Sequence, residues 1–428
     1  MSNIVSNWEN SESFAKNLDK SDPLKDCRDL FHLPTFTKEP VVYYTGNSLG
    51  LQPKATKSYI QQELDDWAKW GVEGHFLAKN PWMPYHELLA KKTAKIVGAK
   101  EIEVAVTHSL TTNLHLLMVS FYKPTKSRYK ILCEKKAFPS DQYALQSQAQ
   151  FHGYKPEECI VEITPRTGER LIRTEDVIDK INELGSSLAM VMIGGVNYFS
   201  GQVFEMEKIT KSGHNVGAIV GFDLAHAAGN IPLELNKWNV DFAAWCTYKY
   251  LNSGPGGVSG FYINEKHVKN PKILRFAGWW GHDKSDRFEM PDKFKPIPTA
   301  ESWQLSNAPV LSMAAHLASL DIFEKIGMQA LREKSEKLTS FQEFIINDIN
   351  SKTGENLEII TPKNLTDRGC QLSIIAHGYG KKLFDQISDK GVVADWREPN
   401  VIRIAPVPLY NSFEDAYRFG QILKTALS

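Results

Sequence analysis

The chain has few cysteines, no excess of either charge and no long apolar run. Its five cysteines are scattered and form no C-x-x-C pair, so we expect neither a disulfide framework nor a cysteine zinc site. Lysine plus arginine and aspartate plus glutamate both number 50, so the charge gives no indication of a nucleic-acid or anionic-membrane partner. No apolar run approaches the roughly 18 residues that a membrane-spanning helix needs.

Residues 1–20 are polar and acidic and lack the apolar segment of a signal peptide. Together with the cysteine pattern, this predicts a protein of the reduced cytoplasm. The 428 residues, 42% of them hydrophobic, are enough to form two domains with sizeable cores.

Strand-like apolar runs alternate with helix-like segments between residues 104 and 263. This rhythm predicts an α/β fold with a mostly parallel sheet. Residues 270–303 are rich in proline, glycine, tryptophan and charge, and we expect a long functional loop there. From residue 308 the pattern predicts a smaller α/β domain. We therefore expect an N-terminal arm at 1–44, a large domain at 45–307 and a small C-terminal domain at 308–428.

Two apolar runs in the large domain are each closed by one charged residue. Residues 217–222 end in Asp223, and residues 241–247 are followed by Lys249. Open α/β sheets bind ligands at the carboxyl ends of their strands. A lysine that forms a Schiff base and an acid that keeps the ring nitrogen protonated are what a pyridoxal phosphate (PLP) site needs. Taken alone, however, the two residues fit a buried salt bridge better.

Loops that follow predicted strands add support for a PLP site. Residues 110–113 (LTTN) lie at a strand-to-helix junction, where backbone N–H groups and the Thr111 hydroxyl can bind phosphate. In the loop FPSD, Phe138 can stack on a flat ring and Pro139 stiffens the turn. A plain helix cap and a capped loop are the simpler explanations of these features when each is considered alone.

Two more features lie beside Asp223 and Lys249. His226 follows Asp223 by three residues, and Tyr248 and Lys249 precede the glycine-rich stretch 252–257, which permits close backbone approach. A desolvated lysine beside a cofactor becomes a usable base. The alternative interpretations are that His226 is a structural histidine and that Lys249 is an exposed lysine before a turn.

Seven motifs, in order along the chain, resemble those of the kynureninase family, PLP-dependent hydrolases of fold type I in the class-V aminotransferase-like superfamily. They cover the chain from about residue 40 to its end, and their combination is specific although each is weak. The motifs are TGNSLGLQPK (45–54), NLHLLM (113–118), KAFPSD (136–141), GFDLAHAAGN (221–230), YKYLNSGPGG (248–257), GWWGH (278–282) and RIAPVPLYNSF (403–413).

The resemblance implies the PLP-dependent transferase-like fold type I and a homodimer. It implies hydrolysis of L-kynurenine, 3-hydroxy-L-kynurenine or both, by cleavage of the Cβ–Cγ bond. The products are anthranilate or 3-hydroxyanthranilate and L-alanine, in tryptophan catabolism and NAD biosynthesis. The sequence leaves open which substrate is preferred.

The resemblance also implies roles for individual residues and no metal. The implied catalytic residues are Lys249, Tyr248 and Asp223. The implied cofactor contacts are Leu110, Thr111, Phe138, Pro139, Ser140, Asp141, Asp223, His226, Tyr248, Lys249, Trp279 and Asn307, of which Trp279 and Asn307 reach in from a second subunit. The implied substrate contacts are Ser48, His75, Asn307 and Arg403, and Arg403 grips the α-carboxylate with its guanidinium fork. The family pattern has a serine where this chain has Gly194, so that side-chain contact is lost.

Other functions of the same fold are the alternatives. A cysteine desulfurase or selenocysteine lyase needs a mobile nucleophilic cysteine. Cys370 is the only cysteine after Lys249, and it lies in a segment predicted as a strand. An aminotransferase would keep many of the same cofactor contacts. A non-catalytic PLP-binding scaffold would have no need of both Lys249 and Asp223.

Overall fold

The computed structural model describes residues 8–35 and 40–427. The elements before the large sheet are α1 (Glu12–Ser21), β1 (Val42–Tyr43), α2 (Thr56–Trp70), α3 (Gly74–Leu77) and α4 (Tyr85–Val97). Helix α2 begins after Pro53, and two of its apolar side chains, Leu64 and Trp67, are exposed.

The central part of the chain alternates between strands and helices, as the sequence predicts. Its elements are β2 (Val104–Val106), α5 (Leu110–Phe121), β3 (Lys130–Glu134), α6 (Pro139–Phe151), α7 (Pro156–Cys159), β4 (Ile160–Ile163), α8 (Thr174–Leu184), β5 (Leu188–Gly194), α9 (Met206–Asn215), β6 (Ile219–Asp223), β7 (Phe242–Trp245) and β8 (Gly260–Ile263).

Among the described residues, these strands form one seven-stranded sheet in the order β2-β8-β7-β6-β5-β3-β4. Strand β8 runs antiparallel to β2 and β7, and the other pairs are parallel, so the predicted mostly parallel sheet is confirmed. Apolar side chains alternate to both faces: Leu132 and Val191 enter one core, and Ile131 and Met190 enter another. Strands buried on both faces explain the continuous apolar runs in the sequence.

The C-terminal part forms a second, smaller sheet. Its elements are α10 (Glu265–Val268), α11 (Val310–Ile326), α12 (Met328–Thr353), β9 (Leu357–Ile359), β10 (Leu372–Ala376), α13 (Lys381–Asp389), β11 (Val392–Val393), β12 (Asp395–Arg397), β13 (Val401–Ile404) and α14 (Phe413–Leu427). The order β12-β13-β10-β9 is antiparallel throughout. The sequence does not predict β11 and β12, which are too short to show a periodic pattern.

The division of the apolar cores differs from the predicted domain boundary at 308. Helix α11 packs on α2 and α4, and its Met313 and Leu320 belong to the core of the large sheet. After residue 308, the first residue that belongs to the second core is Leu338 in α12. Helix α1, predicted as part of an arm, packs on α14, and β1 pairs with β11. Helical periodicity shows that a face is buried but not which core buries it.

In the part of the chain that the structure describes, every helix is too short or too polar to cross a membrane.

Candidate active site

The carboxyl ends of the parallel strands meet at a cavity of about 190 Å³. The cavity is lined by nine of the residues that the sequence singles out: Leu110, Thr111, Phe138, Ser140, Asp141, Asp223, His226, Tyr248 and Lys249. It is also lined by Ser109, Glu134, Gly194, Val196, Tyr198, Ala225, Gly256, Gly257 and Ser259.

Lys249 follows β7 in a tightly held turn. The hydroxyls of Thr247 and Ser253 are 2.6 Å apart across this turn, and the Tyr248 carbonyl accepts a hydrogen bond from the Gly50 N–H. The Lys249 side chain is buried, with Nζ 5.7 Å from the centroid of the Phe138 ring. The turn therefore directs the amine into the cavity, toward the aromatic ring.

Asp223 and Asp141 form a buried carboxyl pair. Burial raises the pKa of Asp223, while the Ala225 N–H at 2.6 Å, the charge of Lys249 and a hydrogen bond from Asp141 oppose this rise. Burial and then the charge of Asp223 raise the pKa of Asp141 well above its usual range. Two buried carboxyl groups that are joined by a hydrogen bond share one proton. The proton favours Asp141, and Asp223 remains the anion.

His226 lies in the same buried region. Burial and then the charge of Lys249 lower its pKa well below the usual value, so its ring is neutral. Its Nδ1 and the Oδ1 of Asp141 are buried and have no hydrogen-bond partner among the described residues. Buried polar atoms without a partner are costly, and a bound polar group would satisfy both.

The N-terminus of α5 lines another part of the cavity. Ser109 is its N-cap residue and Leu110 its first residue, so the N–H groups of the first turn have no partner within the helix. The Ser109 hydroxyl is 2.9 Å from that of Thr112 rather than bonded to a helix N–H group. Such a helix end favours a phosphate.

Phe138 supplies the flat apolar wall. It is the N-cap residue of α6, and its ring meets that of Tyr198 edge-on at 5.3 Å between centroids. Pro139 is the first residue of α6, where a proline needs no N–H partner, and it does not line the cavity. The proline fixes the turn that presents Phe138.

Besides Pro139, five predicted contacts do not line the cavity: Ser48, His75, Trp279, Asn307 and Arg403. Ser48 and Asn307 are exposed. The His75 Nδ1 is 2.8 Å from the Val72 carbonyl oxygen. Trp279 is 42% exposed, and its indole N–H donates to the Arg287 carbonyl at 3.3 Å.

Arg403 lies close behind the cavity wall. It is on β13, only 1% exposed, and it donates to the Asp395 carboxylate and to the carbonyl of Tyr198. Tyr198 itself lines the cavity. The arginine that is predicted to bind the substrate carboxylate thus contacts Tyr198, a residue of the cavity wall.

Glu134 and Tyr198 line the cavity but are not among the residues that the sequence predicts for the site. Glu134 ends an apolar run (KILCE) in the same way as Asp223, so the signal that identifies Asp223 identifies Glu134 as well. Tyr198 lies in an irregular loop after β5, where no periodicity marks a position.

The residues present fit PLP. A lysine faces the cavity, an aspartate anion and its protonated neighbour lie beside it, and a helix N-terminus suited to phosphate lines the same space. An aromatic ring forms one wall. This is the donor set that holds a phosphorylated pyridine aldehyde.

Comparison with known proteins gives relatives over nearly the whole chain. A family model described as the kynureninase C-terminal domain matches residues 331–423. A protein named kynureninase from Christiangramia forsetii is 55% identical over 420 residues, which are 98% of this chain and 99% of the relative. A kynureninase from Mus musculus is 45% identical, with 97% of this chain and 93% of the relative covered.

Solved structures with the same fold are more distant in sequence. The apo cysteine desulfurase from Thermococcus onnurineus has a TM-score of 0.72 at 19% identity, covering 96% of this chain and 97% of the other. A variant of C-DES with glycine linked to its PLP cofactor has a TM-score of 0.73 at 16% identity, covering 90% and 96%. At these identities the likeness shows the fold alone, which is that of PLP enzymes of fold type I.

Proposed function

The chain belongs to the kynureninase family, and we propose that its cavity binds PLP and hydrolyses the Cβ–Cγ bond of L-kynurenine or 3-hydroxy-L-kynurenine. The products are L-alanine and anthranilate or 3-hydroxyanthranilate. One observation carries the proposal. Lys249 follows β7, Asp223 ends the adjacent strand β6, and both line one cavity together with the N-terminus of α5.

PLP, when bound, supplies a protonated ring that stabilises negative charge beside the substrate amino group. The first-turn N–H groups at Leu110 and Thr111 would hold its phosphate, and the Phe138 ring would lie against its face. The Asp223 carboxylate would keep the proton on its ring nitrogen, and the hydrogen bond from Asp141 would keep Asp223 in place. The neutral His226 and the hydroxyl of Ser140 would provide further contacts.

Lys249 and Tyr248 would move the protons. The Lys249 amine would hold the cofactor and carry the proton of the substrate α-carbon. Burial raises the pKa of Tyr248 well above its usual value, so its hydroxyl is protonated at neutral pH. A protonated phenol in the cavity would donate to the substrate γ-carbonyl while water adds, as a general acid.

We propose that the active unit is a homodimer. Apolar residues are exposed on and near α2 and α3 and in the loop 270–303, which includes the predicted contact Trp279; they are Leu64, Trp67, Val72, Phe76, Leu77, Leu274, Phe276 and Phe288. Exposed apolar surface of this kind is typical of an interface. A second copy that covers it would bring Trp279 and Asn307 to the cavity of its partner. In the same arrangement, Ser48, His75 and Asn307 would surround the aromatic end of the substrate.

We also propose a cytoplasmic location, which the five free and buried cysteines support.

The desulfurase alternative lacks its nucleophile. Cys370 is 1% exposed, its Sγ is 2.9 Å from the Asn230 Oδ1, and burial raises its pKa to about 11. A thiol in this state is neutral and fixed, whereas desulfurase chemistry needs a mobile thiolate.

The direct test gives the purified protein PLP and each substrate in turn. It measures release of fluorescent anthranilate from L-kynurenine and of 3-hydroxyanthranilate from 3-hydroxy-L-kynurenine. We expect product from the wild type and none from Lys249→Ala, and the ratio of rates gives the substrate preference. Bound PLP without product would contradict the proposal. Cysteine and keto acids would then be the next substrates, for a desulfurase and an aminotransferase.

A further inference from the structure

The turn between β2 and α5 is held by a side chain that does not itself line the cavity. His108 precedes Ser109, the N-cap residue of α5, and its φ of 52° lies in the left-handed region. This conformation is unfavourable for a residue with a side chain, and it persists only where surrounding contacts hold it. The next three residues, 109–111, all line the cavity. The contacts of His108 therefore bear on the shape of the site.

Both ring nitrogens of His108 have a partner. Its Nδ1 lies 3.0 Å from the Asn113 Oδ1, and its Nε2 accepts a hydrogen bond from the Leu305 N–H at 3.4 Å. A backbone N–H can only donate, so Nε2 carries no proton and Nδ1 is the donor to Asn113. Burial lowers the pKa of His108, which agrees with a neutral ring.

Asn113 closes the turn from the side of the helix. Its Oδ1 accepts from the His108 ring, and its Nδ2 donates to the Thr107 carbonyl at 2.9 Å. Its backbone N–H donates to the Ser109 carbonyl at 2.9 Å, where the hydrogen bonding of α5 begins. Asn113 is fully buried, so water does not compete for these bonds. The side chain thus joins the residue after β2 to the first turn of α5.

The backbone of the turn is fixed from β8 as well. Ser259, which precedes β8, donates its N–H to the His108 carbonyl at 2.9 Å, and its carbonyl accepts from the Thr107 N–H at 2.8 Å. These two bonds do not involve the His108 ring. The contacts to Asn113 and Leu305 do, so a change of the side chain removes those two and leaves the strand pairing in place.

We propose that His108 is a positioning residue of the phosphate site: its ring, held between Asn113 and Leu305, fixes the turn that aims the first N–H groups of α5 at the phosphate of PLP. The inference rests on the proposed function only in placing that phosphate at Leu110 and Thr111. His108 touches no reacting atom and acts through the backbone of the turn.

The test compares the dissociation constants of PLP and of pyridoxal, measured by absorbance and fluorescence on the full chain freed of cofactor. Both compounds carry the ring and the aldehyde, but only PLP carries the phosphate. His108→Gly keeps the left-handed backbone without strain and removes both ring contacts. We expect its dissociation constant for PLP to rise about tenfold, because hydrogen bonds to a charged phosphate become poorly aligned. Its constant for pyridoxal should stay within about twofold of the wild-type value.

Two further variants separate positioning from a general loss of structure. Asn239→Gly relieves another left-handed residue, with φ of 56° and two side-chain hydrogen bonds, that does not line the cavity, and it should leave both constants unchanged. Asn113→Ala removes the acceptor of the His108 ring and should weaken PLP more than pyridoxal; it also serves as the test if His108→Gly does not fold. The two substitutions together should weaken PLP by less than the product of their separate effects, because both remove the same hydrogen bond.

The inference is wrong if His108→Gly weakens PLP and pyridoxal equally, or if it leaves PLP binding unchanged. Independent effects of His108→Gly and Asn113→Ala would also contradict it. A wild type that binds PLP and pyridoxal alike would place the phosphate elsewhere and overturn the inference. These outcomes are separate from a failure of the proposed function, in which the wild type prefers PLP to pyridoxal but releases no anthranilate.

Discussion

The guanidinium of Arg403 is paired with the carboxylate of Asp395, behind the wall of the cavity. Its two terminal nitrogens donate to Asp395 and to the Tyr198 carbonyl, while its Nε is buried and has no partner among the described residues. A substrate carboxylate that binds the Nε edge of this fork would satisfy the remaining donor. The small sheet, which carries Arg403 and Asp395, would thereby contact a ligand held by the large sheet.

Replacing Arg403 with lysine should therefore weaken substrate binding. Lysine keeps the charge but cannot form the two parallel hydrogen bonds of the fork. We expect KM for kynurenine to rise about tenfold or more, from loss of one charge-assisted hydrogen bond, with a smaller change in kcat. Steady-state kinetics would measure both.

Arg397→Lys is the matched control. Arg397 shares the same carboxylate, with Nη2 3.1 Å from the Asp395 Oδ2, but its side chain is 34% exposed. We expect KM of this variant to change by less than about threefold, as for exposed ion pairs. A large rise in Arg397→Lys with none in Arg403→Lys would assign the carboxylate contact to Arg397 instead.

Tyr248→Phe should lower turnover and leave PLP binding largely intact. The phenol is protonated at neutral pH because burial raises its pKa, so the variant loses a proton donor but keeps the ring. Loss of a general acid typically costs about 10²–10⁴ in rate. Stopped-flow or steady-state anthranilate release gives the rate, and the absorbance of the bound cofactor gives occupancy. Unchanged turnover would exclude Tyr248 as the acid.

Much of the cavity can be predicted because its residues end strands or begin helices. Asp223 and Lys249 close apolar runs, and Leu110 begins a helix after β2, so periodicity alone places all three at one edge of the sheet. Glu134 obeys the same rule but has no motif to draw attention to it. Its carboxylate accepts a hydrogen bond from the Gly194 N–H at 3.2 Å, a contact between two strands that spacing along one chain does not encode.

The parts that are not predicted depend on packing between distant segments. The sequence predicts that helix α11 belongs to the C-terminal domain, yet its apolar residues fill the core of the large sheet. In helix α2, Trp67 and Leu64 are apolar yet exposed. Both follow from what each face packs against, in this chain or in a second copy.

The dimer proposal predicts complementation between two inactive variants. Lys249→Ala removes the amine of its own cavity, and Asn307→Ala removes a contact that we propose for the cavity of the partner. A mixed dimer would contain one cavity with both residues intact. We therefore expect activity to return when the two variants are co-expressed or mixed, unfolded and refolded together, up to about a quarter of wild type for random pairing of subunits.

The control for this experiment is Lys249→Ala mixed with Tyr248→Phe. These residues belong to the same cavity, but a mixed dimer again has one altered residue in each cavity and no intact one. No recovery is expected from this pair. Equal recovery in both mixtures, or a monomer in light scattering, would contradict the proposed partner contribution.

Titration of Glu134, a buried residue of the cavity wall, should make the stability of the cofactor-free protein depend on pH. Its pKa is raised in the folded state to about 7, from an ordinary value of 4.5. Below the ordinary value the group is protonated in both states. As pH rises toward 7, the unfolded chain releases the proton and the folded protein retains it, so folding becomes less favourable. A shift of this size costs about 3 kcal/mol, all of it present above the folded pKa.

Glu134→Gln cannot ionise, so it should not undergo this loss. Relative to wild type, its free energy of unfolding should therefore increase by up to about 3 kcal/mol between roughly pH 4.5 and pH 8. Urea unfolding at the two pH values, with the slope on denaturant compared to exclude a change in the unfolded state, measures the difference. A difference that is the same at both pH values would mean that Glu134 is not the group that titrates.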